Sequence, residues 1–444
     1  MPAHDTTPAD FRLIVVPERE ALPAGAAATL RMLVRVQAPD APASAAREPL
    51  HLALVLDRSG SMAGRPLEEA KRCARAMIDR LAHDDRAALV VYDDDVACIA
   101  PLASAADKTP FHAALDGLAP GGSTDLHGGW RAGAEALAGS MAGSGVHRVI
   151  LLSDGNANCG VTDLETITGA CRDLARRGVS TSTYGVGDEF NETLMLAMAQ
   201  AGGGNAYYGE TAEDLAEPFV AEFELLSQLC ARGLVLRVNA PAGLPVRVRN
   251  GYDAAGAAAW KLPDLAYAAE AWALVEIDVP AGDAIAGEST TLPVTFTLQA
   301  AGQGAPVFLM AGLPALARVS AAEFAALAPD PLVATRIAEL DAADVLAEVR
   351  SLVGAQRWVE AQRKVAGARQ RFAGQPWARS VLDAMARLIE QRHASRSSKQ
   401  ALYARAAMGR RLAGRDEPAF DRQEDAPSFL RRRAQQGKGR PQPE

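Results

Sequence analysis

Residues 48–227 alternate two hydrophobic patterns: short apolar runs, and longer stretches whose apolar positions recur every three or four residues. The run Leu50-His51-Leu52-Ala53-Leu54-Val55-Leu56 and the run Arg148–Ser153 read as strands buried on both faces. Pro66 opens a stretch in which Leu67, Ala70, Ala74, Met77, Ile78 and Leu81 share one helical face. Ala87–Tyr92 and Val96–Ala100, joined by Asp93-Asp94-Asp95, predict a hairpin with a solvated tip. Helices are expected over Asp125–Ser140, from Thr162-Asp163-Leu164-Glu165 (a capping-box form), and over Glu192–Gln200 and Glu213–Leu229. Val179–Val186 is a further strand. Strands alternating with helices predict the α/β class, with a doubly wound, mostly parallel sheet covered on both faces.

The flanks carry a different period. Leu30, Met32, Val34 and Val36 alternate with Arg31, Leu33, Arg35 and Gln37. Leu234, Leu236 and Val238 repeat that period, as do Leu292, Val294, Phe296 and Leu298, and Asn250-Gly251 marks a turn. Period two predicts antiparallel sheet with one solvated face. Neither flank has enough strands to close alone, so a β-sandwich is expected from residues 10–40 and 231–316, with the α/β domain inserted between its strands. From Ala321 the period becomes helical. One stripe holds Ile337, Leu340, Leu346, Val349 and Val353, and a second holds Trp358, Val365 and Phe372. A third holds Trp377, Val381, Met385 and Leu388, so a helical hairpin or bundle is expected. The expected organisation is N-terminal strands over 1–47, the α/β domain over 48–227, sandwich over 228–316, helices over 317–412 and a disordered basic tail over 413–444.

Charge adds one feature to this outline. The 444 residues have a formal net charge of −8, but Arg350–Glu444 holds 21 Lys and Arg against 9 Asp and Glu. Solvated helix faces account for such a basic segment, and Arg431-Arg432-Arg433 without interleaved aromatics is a weak nucleic-acid signal. The five cysteines include no Cys-x-x-Cys pair, which argues against a zinc site or disulfide framework. No apolar run approaches a membrane span, and the N-terminus lacks a secretion pattern, so a cytoplasmic protein is expected.

The chemistry concentrates at strand ends. Asp57-Arg58-Ser59-Gly60-Ser61 follows the first buried run, Gly121-Gly122-Ser123-Thr124-Asp125 precedes a helix, and Ser153-Asp154-Gly155 ends another buried run. In open parallel sheets, ligands bind beyond the carboxyl ends of the strands. Asp57, Ser59, Ser61, Thr124 and Asp154 would bring only oxygen donors there, a set suited to Mg²⁺, Mn²⁺ or Ca²⁺. Two carboxylates merely neutralise a divalent ion, which leaves it open to an Asp or Glu from another protein. Asp-x-Ser-x-Ser alone also fits turns and caps; the three segments together, each at a strand-to-helix junction, favour metal.

These segments, with Tyr184-Gly185-Val186-Gly187 and Gly202-Gly203-Gly204-Asn205, make residues 48–227 resemble a von Willebrand factor type A domain. The likeness is to a bacterial branch related to inter-alpha-trypsin inhibitor heavy chains and calcium-activated chloride channel proteins. The resemblance implies a metal-ion-dependent adhesion site in which Ser59, Ser61 and Thr124 ligate directly or switch with ligand state. Asp57 and Asp154 would act directly or through water. It also implies a metal-dependent protein-interaction module rather than an enzyme. Two alternatives stay open: a metal-dependent hydrolase or phosphoryl-transfer enzyme, and a scaffold with structural metal that binds through its helical tail. The hydrolase would need a base near the ion, for which Asp125 is the sole candidate, although it reads better as a helix cap. His51, His127 and His147 lack metal-helix spacing, Cys159 lacks a cationic neighbourhood, Gly202-Gly203-Gly204 is not a phosphate loop, and no nucleophile elbow occurs.

Overall fold

A computed structural model describes residues 11–414 except 42–46, 140–144, 155–156, 187–190, 210–211, 282–288, 303–305, 395–396, 400 and 404–412. The chain forms two compact units: Ser44–Ser227, and the flanking segments Met1–Ala43 and Gln228–Glu444 together. Strands β1 (Arg12–Pro17), β2 (Ala21–Pro23) and β3 (Ala28–Gln37) belong to the flanking unit.

The α/β unit begins with β4 (Leu50–Asp57), α1 (Arg65–Arg80), β5 (Arg86–Tyr92), β6 (Val96–Ser104) and α2 (Thr109–Asp116). It continues through α3 (Leu126–Ala138), β7 (Val146–Ser153), α4 (Leu164–Arg176) and β8 (Val179–Val186). It closes with α5 (Glu192–Ala201), β9 (Gly203–Gly209) and α6 (Ala212–Ser227). The sheet order is β6-β5-β4-β7-β8-β9, parallel except for edge strand β6, which runs antiparallel to β5. Strands β4 and β7 are buried at every position, as unbroken apolar runs between two helical layers require. The chain builds outward from β4 through β5 to β6, then returns to build through β7, so strand order reverses between β4 and β7. That reversal opens the crevice at the carboxyl ends of these two strands.

Helix α3 lies close on the sheet because glycines face it: a Cβ on Gly133 would stand 2.4 Å from Val55 Cγ2, and one on Gly129 2.4 Å from the Tyr92 ring. Between them Trp130 is buried and its indole N–H donates to Thr181 Oγ1 at 3.0 Å. Several local expectations are corrected. Asp163, not Thr162, caps α4 by accepting from the Thr166 amide, since a carboxylate is the better acceptor at that end. Leu229 belongs to the strand after α6 rather than to the helix. Helix α2 and strand β9 were not foreseen.

The flanking unit continues with β10 (Leu229–Asn239), β11 (Val246–Val248), β12 (Ala254–Gly256), β13 (Ala259–Lys261) and β14 (Leu265–Ala266). Next come β15 (Ala269–Val279), β16 (Ser289–Thr290), β17 (Thr295–Gly302), β18 (Pro306–Gly312) and β19 (Leu316–Val319). Helices α7 (Ala321–Ala326), α8 (Pro331–Gly354), α9 (Trp358–Arg371) and α10 (Pro376–Glu390) follow. One antiparallel sheet runs β1-β3-β15-β11 and a second runs β12-β13-β10-β17-β18. Strand β3 pairs with β15 along its whole length, from Gln37 opposite Glu270 to Ala28 opposite Val279, so chain from both sides of the α/β unit shares one sheet.

Strand β10 alternates as expected, with Leu234, Leu236 and Val238 buried and Arg237 and Asn239 exposed. The solvated face expected for β3 is corrected: Leu33 is buried with Trp272 and Leu274 of β15 against Val333 and Leu340 of α8. A helix covers that second face, so its apolar positions are not restricted to period two. A further core joins Leu346, Val349 and Val353 of α8 to Val365 of α9 and Val381 and Met385 of α10. Within the span expected as a disordered basic tail, Ala413–Gly414 pair with β15, and residues 415–444 lie outside the described residues. Among the described residues no helix is long and apolar enough to cross a membrane.

Candidate metal centre

The carboxyl ends of β4 and β7 bring four of the sequence-derived residues, Asp57, Ser59, Ser61 and Asp154, to one place, and the loop that carries Thr124 is tied to them through its backbone. Asp57 closes β4 fully buried; its Oδ1 accepts from the Ser59 amide at 2.8 Å and its Oδ2 accepts from the Ser153 hydroxyl at 2.7 Å. The Ser59 and Ser61 hydroxyls lie 3.2 Å apart, and Ser61 donates to Asp154 Oδ1 at 3.0 Å. Ser59 is buried and Ser61 exposed, so the cluster reaches from the core to solvent. Thr124 is buried, and its loop is fastened to the Asp57–Ser61 loop by two backbone bonds: Gly60 N–H to Gly122 O at 2.9 Å and Gly121 N–H to Arg58 O at 2.7 Å.

Four residues beyond the five expected ligands shape the site. Ser153 holds Asp57, as above. Tyr92, opposite Asp57 in the β4–β5 register, is fully buried, and its hydroxyl lies beside Asp57 and Ser153 without a partner in full hydrogen-bond geometry. Asn158 locks the Thr124 loop reciprocally, its Oδ1 accepting from the Thr124 amide at 2.8 Å while its own amide donates to Thr124 O at 3.2 Å. Asp93 corrects the reading of Asp93-Asp94-Asp95 as a solvated tip. Its carboxylate is buried, accepts from the Asp95 amide at 2.8 Å and holds the Arg58 guanidinium at 3.1 Å, while its carbonyl accepts from the Asp125 amide at 2.7 Å. A Cβ on Gly121 would sit 1.6 Å from Asp93 Oδ2, so glycine is required where this loop passes the carboxylate. The signal for Tyr92 and Ser153 is their place as the polar last residues of buried apolar runs; nothing local marks Asp93 or Asn158. Asp125 caps α3 by accepting from the Gly128 amide at 2.9 Å.

Electrostatics set the character of the cluster. Burial pushes the Asp57 carboxyl above the usual carboxylate range, against the hydrogen bonds from Ser59 and Ser153 and the neighbouring Tyr92 hydroxyl, which pull it down. Burial and then the Asp57 charge raise Asp154 to about 6, with the Ser61 hydroxyl opposing. Two desolvated, mutually repelling carboxylates beside two hydroxyls form an oxygen-only donor set, which fits a hard divalent cation. Among the described residues no group of three or more His, Cys, Asp and Glu side chains gathers to hold a metal. The cluster offers hydroxyl oxygens as well as carboxylates.

Residues 51–220 match the von Willebrand factor type A domain family. The chain is 27% identical over 206 residues to the uncharacterized protein YfbK of Escherichia coli (strain K12), covering 46% of this chain and 36% of that protein. It is 30% identical over 208 residues to an uncharacterized Synechocystis protein, covering 47% of this chain and 49% of that one. The chain therefore spans half or less of the length of these curated relatives. A solved von Willebrand factor type A structure from Catenulispora acidiphila superposes with a TM-score of 0.66 at 16% identity, covering 88% of this chain and 91% of that one, and shows a shared fold. Strand order, crevice and matched sequence agree: residues 51–220 are a von Willebrand factor type A domain, of the kind that commonly serves as a metal-dependent protein-interaction module.

Proposed function

We propose that the Ser44–Ser227 unit holds Mg²⁺, or Mn²⁺ or Ca²⁺ in its place, through Asp57, Ser59, Ser61, Thr124 and Asp154, and binds an acidic side chain of a protein partner there. The observation that carries this reading is the Ser61 hydroxyl, which bridges Ser59 and, across 93 residues of sequence, Asp154. A bound divalent ion supplies an electrophilic position for an incoming carboxylate. The chain's own residues do the rest. Ser153 and the Ser59 amide fix both oxygens of Asp57, Asp93 fixes the loop through Arg58, and Asn158 fixes Thr124.

Binding is favoured over hydrolysis or phosphoryl transfer because Asp125, the base the sequence nominates for those reactions, is engaged in capping α3. Cysteine usage supports a cytoplasmic setting.

Mg²⁺ at a hundredfold excess over its Kd is expected to stabilise the protein by ~2.7 kcal/mol. Asp57→Ala and the solvent-exposed Ser61→Ala are expected to remain folded and lose most of that response. Superimposable wild-type melting curves in Mg²⁺ and in chelator would refute the reading.

A further inference from the structure

Among the described residues of the α/β unit, the large apolar side chains that stay exposed are Val96, Val161 and Leu164, at 39%, 37% and 43%. All three stand on the sheet edge that carries the oxygen cluster. Val96 opens β6 directly after the Asp93–Asp95 turn and pairs with Tyr92, the neighbour of Asp57. Val161 and Leu164 lie on the path from β7 into α4. In that segment the Asn158 and Cys159 amides both donate to Thr124 O, and a Cβ on Gly160 would come within 2.3 Å of Asp125. The Thr124 loop is thus gripped from the β5 side by Asp93 and Asp94, and from the β7 side by the segment that bears Val161.

A cation attracts any carboxylate and selects none, so discrimination must come from the surface around it. Single exposed apolar residues are ordinary, but here all those among the described residues of the unit stand at the strand-end edge where the oxygen cluster lies. We propose that this rim is the second half of the docking surface. Its occupant is a protein segment that presents Asp or Glu to the cation with apolar side chains a few residues away, covered by Val161 and Leu164 on one side and Val96 on the other. A free small carboxylate would use the cation and leave the rim bare. The inference rests on the metal reading above and adds the chemistry of the partner.

The test pans the full-length, Mg²⁺-loaded protein against a displayed library of random heptapeptides, with elution by chelator. Recovered peptides are expected to carry Asp or Glu with an apolar residue within three positions. A synthetic copy is expected to bind V161S/L164S about tenfold more weakly than wild type, while the Mg²⁺-dependent melting shift of that variant is unchanged. Acidic peptides without apolar enrichment, undiminished binding to V161S/L164S, or a normal melting shift with no chelator-eluted peptide would each overturn the rim. Loss of the Mg²⁺ shift in the wild type would instead overturn the metal centre and the rim with it.

Discussion

Arg58 separates Asp57 from Ser59 in the chain, and its guanidinium is held by the buried Asp93 carboxylate, so one ion pair orients the loop that supplies three proposed ligands. Groups that orient ligands are typically worth a factor of ten to a hundred in metal affinity. Asp93→Asn is therefore expected to weaken Mg²⁺ binding by about tenfold or more in a calorimetric titration, with the fold retained. Asp154 sets a pH dependence. Its folded pKa of about 6 stands above the ordinary 3.8 of an aspartate, so without metal its contribution to stability is fully present below pH 3.8 and is lost as pH rises through 6. Mg²⁺ competes with that proton, so the melting shift between Mg²⁺ and chelator is expected to be small at pH 5 and larger at pH 7. A shift that shrank over this range would contradict the role given to Asp154. At this scale the cluster of Asp57, Ser59, Ser61 and Asp154 was legible because Asp and Ser at the end of an apolar run announce themselves. Asp93 was not, because three consecutive acids look like a solvated turn until Arg58 and Gly121 are brought against them.

Among the elements, β9 shows why some strands escape a reading by pattern. It begins in Gly202-Gly203-Gly204, which resembles a loop, yet a Cβ on Gly204 would stand 2.1 Å from the backbone oxygen of Thr181. Glycine is needed there so that β9 can approach β8, and the low apolar content is a consequence of that approach. Gly204→Ala is expected to destabilise the protein by roughly 1–3 kcal/mol in urea denaturation, since a backbone carbonyl has little room to yield. Its Mg²⁺ affinity should stay near wild type, because β8 lies between β9 and the β7 edge of the centre. Strands β4 and β7 were legible because burial on both faces favours apolar runs; β8 is buried as well, but carries Ser180, Thr181, Ser182 and Thr183 in its middle. Helix α3 was legible despite Gly129 and Gly133, which serve its close contact with Tyr92 and Val55.

For the whole molecule, the pairing of β3 with β15 makes residues 28–37 part of a sheet completed only after the α/β unit. Deleting residues 1–43 would strip β15, buried at nearly every position, of its longest pairing partner. Such a protein is expected to lose cooperative unfolding of the flanking unit and to aggregate, while the Ser44–Ser227 unit keeps its Mg²⁺-dependent shift in a thermal scan. Loss of both transitions together would show that the two units do not fold independently. The alternation of apolar runs and helical stripes was enough to specify a doubly wound α/β domain, and the residues ending those runs were enough to nominate an oxygen-only cation centre. Periodicity and residue type are local properties, written into every stretch of chain long enough to hold a strand or a helix. Only the tertiary structure decided that Asp93, Asn158, Tyr92 and Ser153 lie around the Asp57 loop and its neighbours, that α8 covers the second face of β3, and that Val96, Val161 and Leu164 stay exposed at the ends of their strands and helix. Each of these depends on which distant segments become neighbours, and a pairing between segments leaves no periodic trace in either one.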